Sequence, residues 1–142
     1  MSAGFILDAR LANDSAFIAD GPLSQVRLMD DARFPWIVLV PRVADVAEWI
    51  DLDGSRQRLL LAEINQVSRL LRGEADVQKL NIGALGNVVR QLHVHVVGRH
   101  ESDTAWPGPV WGSGAARRFD ADALAARIAL WRAKLKDVSS AA

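Results

Sequence analysis

Residues 91–97 read Gln91-Leu92-His93-Val94-His95-Val96-Val97, inside a longer β-favouring run from Val88 to Val97. A strand sends alternate side chains to opposite faces. On a strand over 88–97, Leu92, Val94 and Val96 share one face and must meet a core. Gln91, His93 and His95 share the other. Two of the chain's three histidines are thereby expected side by side on one rigid element.

Upstream, Gly83 and Gly86 mark a turn. Before them Val77-Gln78-Lys79-Leu80-Asn81-Ile82 alternates apolar and polar, so strands on either side of the turn are close enough to pair as a hairpin. Trp36-Ile37-Val38-Leu39-Val40, closed by Pro41, is too short for a helix and reads as a buried strand. Leu23, Val26 and Leu28 mark a strand over 23–30, and Ala16–Ala19 a short one, with a turn at Asp20-Gly21-Pro22. Asp45-Val46-Ala47-Glu48 has the form of a capping box that opens a short helix through Trp49.

A long helix is expected from Ser55 to Arg72, with Leu60, Ile64, Val67 and Leu71 as its apolar stripe and Gly73 as its stop. Residues 98–118 form a loop with glycines, prolines, Trp106 and Trp111. A last helix spans Asp120–Lys136, with Leu124, Ile128, Trp131 and Leu135 as its stripe and charges placed as the helix dipole favours. The final Ser139-Ser140-Ala141-Ala142 is expected to fray. The sum is an α+β fold: a mainly antiparallel sheet of about five strands, a long central helix and a C-terminal helix, the two stripes covering one sheet face.

The 142 residues suit a single domain over 1–142, and half of them are apolar. Lys plus Arg equals Asp plus Glu at 17 each, which gives no electrostatic footprint for long nucleic acid or an anionic membrane. The chain has no cysteine, which excludes disulfides, thiolate metal sites and a cysteine nucleophile. The start, MSAGFILDARL, lacks the basic and apolar regions of a secretory signal, and no stretch is long and apolar enough to span a bilayer. A cytoplasmic protein is the expectation.

Neutral imidazole can attack phosphorus through one nitrogen while the other holds a proton and is oriented by an acceptor. A second histidine along the strand can donate a hydrogen bond to phosphate or protonate a leaving group. The same spacing also fits solvated residues on an open sheet face. It fits two metal ligands as well, although only His100 and carboxylates are present to complete such a set.

The segment QLHVHVV resembles the histidine triad (HIT) signature, His-φ-His-φ-His-φ-φ with φ apolar. Asn81-Ile82-Gly83-Ala84-Leu85-Gly86-Asn87 resembles the family's Asn-x-Gly hairpin, and Trp36–Arg42 its buried strand ending in Val-Ile-Pro-Lys. Gly98-Arg99 and Trp106-Pro107-Gly108 are similar to segments of the branch that hydrolyses nucleoside phosphoramidates. The resemblance implies a homodimeric nucleotide hydrolase or transferase that acts at an α-phosphate and requires no metal or other cofactor. It places the nucleophile at His93 and the phosphate and leaving-group contact at His95. Gln91 stands where the family has its first histidine, a supporting member of the site. Asp30 matches the ribose-binding carboxylate, with Leu28 and Met29 as walls of the base pocket. Asn81 matches an asparagine near the phosphate. Asn87 lies where the family often has a phosphate-contacting serine, and Trp106 is placed to approach the partner subunit's site. The departures at Gln91 and Val88 keep open an alternative, a nucleotide-binding module with little or no turnover.

Overall fold

Five antiparallel strands form one sheet: β1 (Ser15–Asp20), β2 (Ser24–Met29), β3 (Trp36–Pro41), β4 (Lys79–Gly83) and β5 (Val94–Arg99), in the order β1-β2-β3-β5-β4. The computed structural model describes the backbone of residues 4–141 and side chains through residue 138. The α+β architecture expected from the sequence is the one observed.

The helices are α1 (Ala9–Asp14), α2 (Gly54–Arg72) and α3 (Ala121–Ala141). Asp53 caps α2 through a bond from the Arg56 amide at 2.8 Å. The α2 stripe Leu60, Ile64, Val67 and Leu71 packs with Trp131 of α3 against Val26, Leu28, Ile37, Leu39, Val94 and Val96. Both stripes therefore do cover one sheet face, and the apolar row 92, 94, 96 points into that core.

The opposite face is covered without a long helix. Leu11, Phe34, Trp36, Val38, Val40, Val97 and Val110 form a second cluster, joined by Phe5, Leu7, Met29 and Trp111. With both faces covered, every residue of β3 and β5 is buried. An uninterrupted apolar run at 36–41 is what such a strand requires.

Several local expectations are corrected. The strand expected over 88–97 begins only at Val94, and residues 84–93 form a long connection from β4 instead of a tight hairpin. The short helix expected from Asp45 is a 3-10 turn at Trp49–Asp51. Asp45 has a left-handed φ of 59°, which no helical start adopts, and the Asp51 carboxylate takes the Ala47 and Glu48 amides instead. Helix α1 was not foreseen. Helix α3 continues to Ala141 where fraying was expected, and Ala142, like residues 1–3, lies outside the described residues. No described helix is long and apolar enough to cross a membrane.

Candidate active site

The two imidazoles lie over the centre of the sheet, their ring centroids 4.9 Å apart and their planes at 73°. His95 belongs to β5, and His93 immediately precedes it. Both are buried, at 7% and 6% exposure, so neither is a solvated residue on an open face.

Hydrogen bonding fixes the tautomer of each ring. His93 Nδ1 lies 2.7 Å from the Gln91 carbonyl oxygen. A carbonyl can only accept, so Nδ1 carries the proton. In the neutral ring, Nε2 then holds a lone pair. His95 Nδ1 lies 3.0 Å from Trp36 Nε1. An indole N–H can only donate, so this Nδ1 accepts and the proton is on Nε2. Adjacent histidines thus have opposite polarity: one exposes a base, the other a donor. Burial, with the His93 charge adding to it, lowers the His95 pKa to about 3, so the ring stays neutral near pH 7.

Trp111 closes the assembly. Its ring makes an edge contact with His95 at 5.4 Å and with Trp36 at 6.5 Å. A Cβ at Gly83 would lie 3.1 Å from the Trp111 ring, so the bare backbone of β4 makes room for it.

A cavity of about 440 Å³ opens above the histidines. Met29, Val88, Val89, Val110 and Trp111 give it apolar walls, and Asp14, Asp30, Asp31, Arg33 and Arg118 supply charge. Gly86, at φ 71°, and Asn87 form a backbone bend along its edge. Asp30 accepts from the Phe119 amide at 2.9 Å and from Arg118 at 3.1 Å. Asp31 is buried and ion-paired to Arg33 at 2.8 Å. Burial alone would raise the Asp31 pKa, but bonds from the Arg33 side chain and from the Arg33 and Arg117 amides bring it below its ordinary value.

The expected site residues divide. His93, His95, Met29, Asp30 and Asn87 line one cavity. Leu28 does not: it is 1% exposed and belongs to the core on the helix side. Asn81 accepts from Arg99 at 2.8 Å and lies off the cavity lining. Trp106 lies 5.7 Å from the Arg99 guanidinium, also off the lining. Gln91 faces another depression, with Asp45 and Arg90, and its carboxamide bonds the N-terminal segment. Trp36, Asp31, Arg33, Trp111 and Arg118 also line the cavity, and no local sequence pattern singles them out for it. Among the described residues no group of three or more His, Cys, Asp or Glu side chains is arranged to hold a metal ion.

Buried Arg99 fixes the loop that carries Val110 and Trp111. It pairs with Asp103 at 2.7 Å, donates to the Gly108 carbonyl at 2.8 Å and lies over the Phe34 ring. Asp103 also accepts from the His100, Ala105 and Trp106 amides. The Arg99 bonds hold its carboxyl well below the usual range, at about 2.

A sheet that presents a buried His-x-His pair beneath a cavity of about 440 Å³ has clear relatives. The HIT domain model matches residues 10–102. Similar solved structures include a histidine triad protein from Bradyrhizobium japonicum, 46% identical, with 92% of this chain and 97% of that one covered and a TM-score of 0.87. One from Sinorhizobium meliloti is 43% identical, with 94% and 96% covered and a TM-score of 0.85. One from Marinobacter aquaeolei is 38% identical, with 94% and 97% covered and a TM-score of 0.87. Comparison with curated proteins finds no match. The chain belongs to the histidine triad (HIT) domain family.

Proposed function

We propose that this protein is a nucleotide hydrolase or nucleotidyl transferase that acts at an α-phosphate through a nucleotidyl-histidine intermediate on His93, with nucleoside phosphoramidates as the substrate class. The opposite tautomers of His93 and His95 carry the reading. His93 Nε2 attacks phosphorus and forms the N–P bond, and the bond to the leaving amine breaks with its electron pair going to nitrogen. The Gln91 carbonyl holds the Nδ1 proton as the ring gains positive charge. Water then attacks phosphorus, the P–Nε2 bond breaks with its electron pair returning to Nε2, and a proton passes to solvent, which releases the nucleoside monophosphate and restores neutral His93. An alcohol or amine in place of water makes the same step a transfer.

His95 serves as a donor to a phosphoryl oxygen, not as an acid. Its Nδ1 lone pair is engaged by Trp36. Losing the Nε2 proton would leave an imidazolate in a buried site, so the proton for the leaving amine comes from solvent. The cavity falls in the range of small-ligand sites, and its apolar walls suit a base while Asp30 suits a ribose. The reading includes a homodimer, supported by the exposed edge strand β4, where Ile82 is 51% exposed.

Intact-mass measurement after mixing with adenosine or guanosine 5′-phosphoramidate and quenching in mild base tests the mechanism. A transient gain of one nucleotidyl group, absent in His93→Ala, is expected. Calorimetric binding with no adduct and no product would make the chain a nucleotide-binding module instead.

A further inference from the structure

Gln91 stands at the first position of the triad, yet its side chain turns away from the cavity. Its Oε1 accepts from the Asp8 amide at 2.8 Å, and its Nε2 donates to the Ile6 carbonyl at 2.8 Å. These two main-chain groups flank Leu7, which packs with Phe5 and Leu11 against the cluster beneath the site. The main-chain carbonyl of the same Gln91 receives His93 Nδ1–H. A further tie, Arg10 Nη1 to the Val88 carbonyl at 3.2 Å, joins the segment to the cavity edge.

We infer that Gln91 is a positioning residue: its carboxamide clasps the N-terminal segment, and the clasp holds the Gln91 carbonyl where it fixes the tautomer and aim of His93. The inference rests on His93 being the nucleophile. A carboxamide suits the task because its acceptor and donor lie on neighbouring atoms with nearly parallel bond directions. That arrangement matches a C=O and an N–H on either side of one residue. An imidazole directs its two nitrogens away from each other, so it can make one of these bonds but not both. Protonation near neutral pH would further deprive it of an acceptor for the Asp8 amide. Glutamine at this position thereby ties the N-terminal segment to the support of the nucleophile.

Three variants test the clasp: Gln91→Met, of similar length with neither bond; Gln91→Glu, which keeps only the acceptor; and Gln91→His, which restores the family pattern. Each is read by exchange of the Asp8 amide, by the His93 tautomer from nitrogen shifts, and by kcat and KM for a nucleoside phosphoramidate. In Gln91→Met, Asp8 is expected to exchange about tenfold faster and kcat to fall about tenfold, with KM within about twofold, as two modest bonds imply. Gln91→Glu should fall between Met and wild type, and Gln91→His should be slower than wild type. An unchanged Asp8 amide, or turnover in Gln91→His equal to wild type, overturns the clasp. If wild type itself neither turns over nor forms an adduct, the reading of His93 as nucleophile fails. The Asp8 exchange and His93 tautomer would still decide the clasp.

Discussion

Trp36 and His95 are diagonal neighbours on the paired strands β3 and β5, where Val38 is the direct partner of His95, and the Trp36 indole donates to His95 Nδ1 at 3.0 Å. The bond spans neighbouring strands on one face and sets the polarity of the His95 ring. Replacing Trp36 by Phe removes the donor and frees His95 to place its proton on either nitrogen. Turnover is expected to fall about tenfold, and nitrogen shifts should report a mixture of tautomers. A single Nε2–H tautomer in Trp36→Phe would show that something else fixes the ring.

His95 also makes stability depend on pH. Its folded pKa of about 3 lies below the ordinary value of 6.5. Between those values the unfolded chain binds a proton that the folded chain does not. Stability from this group is thus complete above about pH 6.5 and is lost as pH falls toward 3, by up to about 1.4 kcal/mol per pH unit. Denaturant melts across that window, with the same series for His95→Asn, isolate the contribution. Parallel slopes for the two proteins would contradict it.

Arg99 and Asp103 are both buried, at 2% and 1% side-chain exposure. Arg99→Met leaves the Asp103 carboxylate without its cation and the Gly108 carbonyl without its donor. A loss of about 3–5 kcal/mol is expected in denaturant unfolding, as for other broken buried pairs. A loss below about 1 kcal/mol would mean that the loop is held by its other contacts.

Trp111 walls the cavity and shields His95 from one side. In Trp111→Ala, KM for a nucleoside phosphoramidate should rise about tenfold, with a smaller fall in kcat, since the change removes apolar wall and not a reacting group. Steady-state kinetics decide this. A fall confined to kcat would assign Trp111 to orienting His95 instead.

The fold was legible because its periodicities are strong. The α2 stripe and the alternation around His93 each name a core-facing side, and the uninterrupted apolar run at 36–41 marks a strand covered on both faces. The site was legible in part. The resemblance makes walls of both Leu28 and Met29, yet neighbours on a strand face opposite ways, and Leu28 shares its face with Val26. Alternation sets Gln91 beside the histidines only on a strand that reaches back to residue 91; β5 starts at Val94, and tertiary bonds to residues 6 and 8 turn Gln91 elsewhere. Trp36 was read as a strand residue, but its role depends on the register of β3 against β5, which no local pattern encodes. Trp111 reaches His95 through a loop whose path is set by the buried Arg99, a long-range constraint invisible in a run of glycines and prolines.

The fixed path of that loop has a kinetic consequence. The segment that carries Trp111 is tied on both sides, by Arg99 to Asp103 and Gly108 and by Arg33 to the Ser113 carbonyl at 3.2 Å, as a wall is and a lid is not. Substrate is then expected to enter an already assembled site through a standing aperture. Association becomes a single encounter whose observed rate rises linearly with concentration, without the plateau that a closing gate would impose.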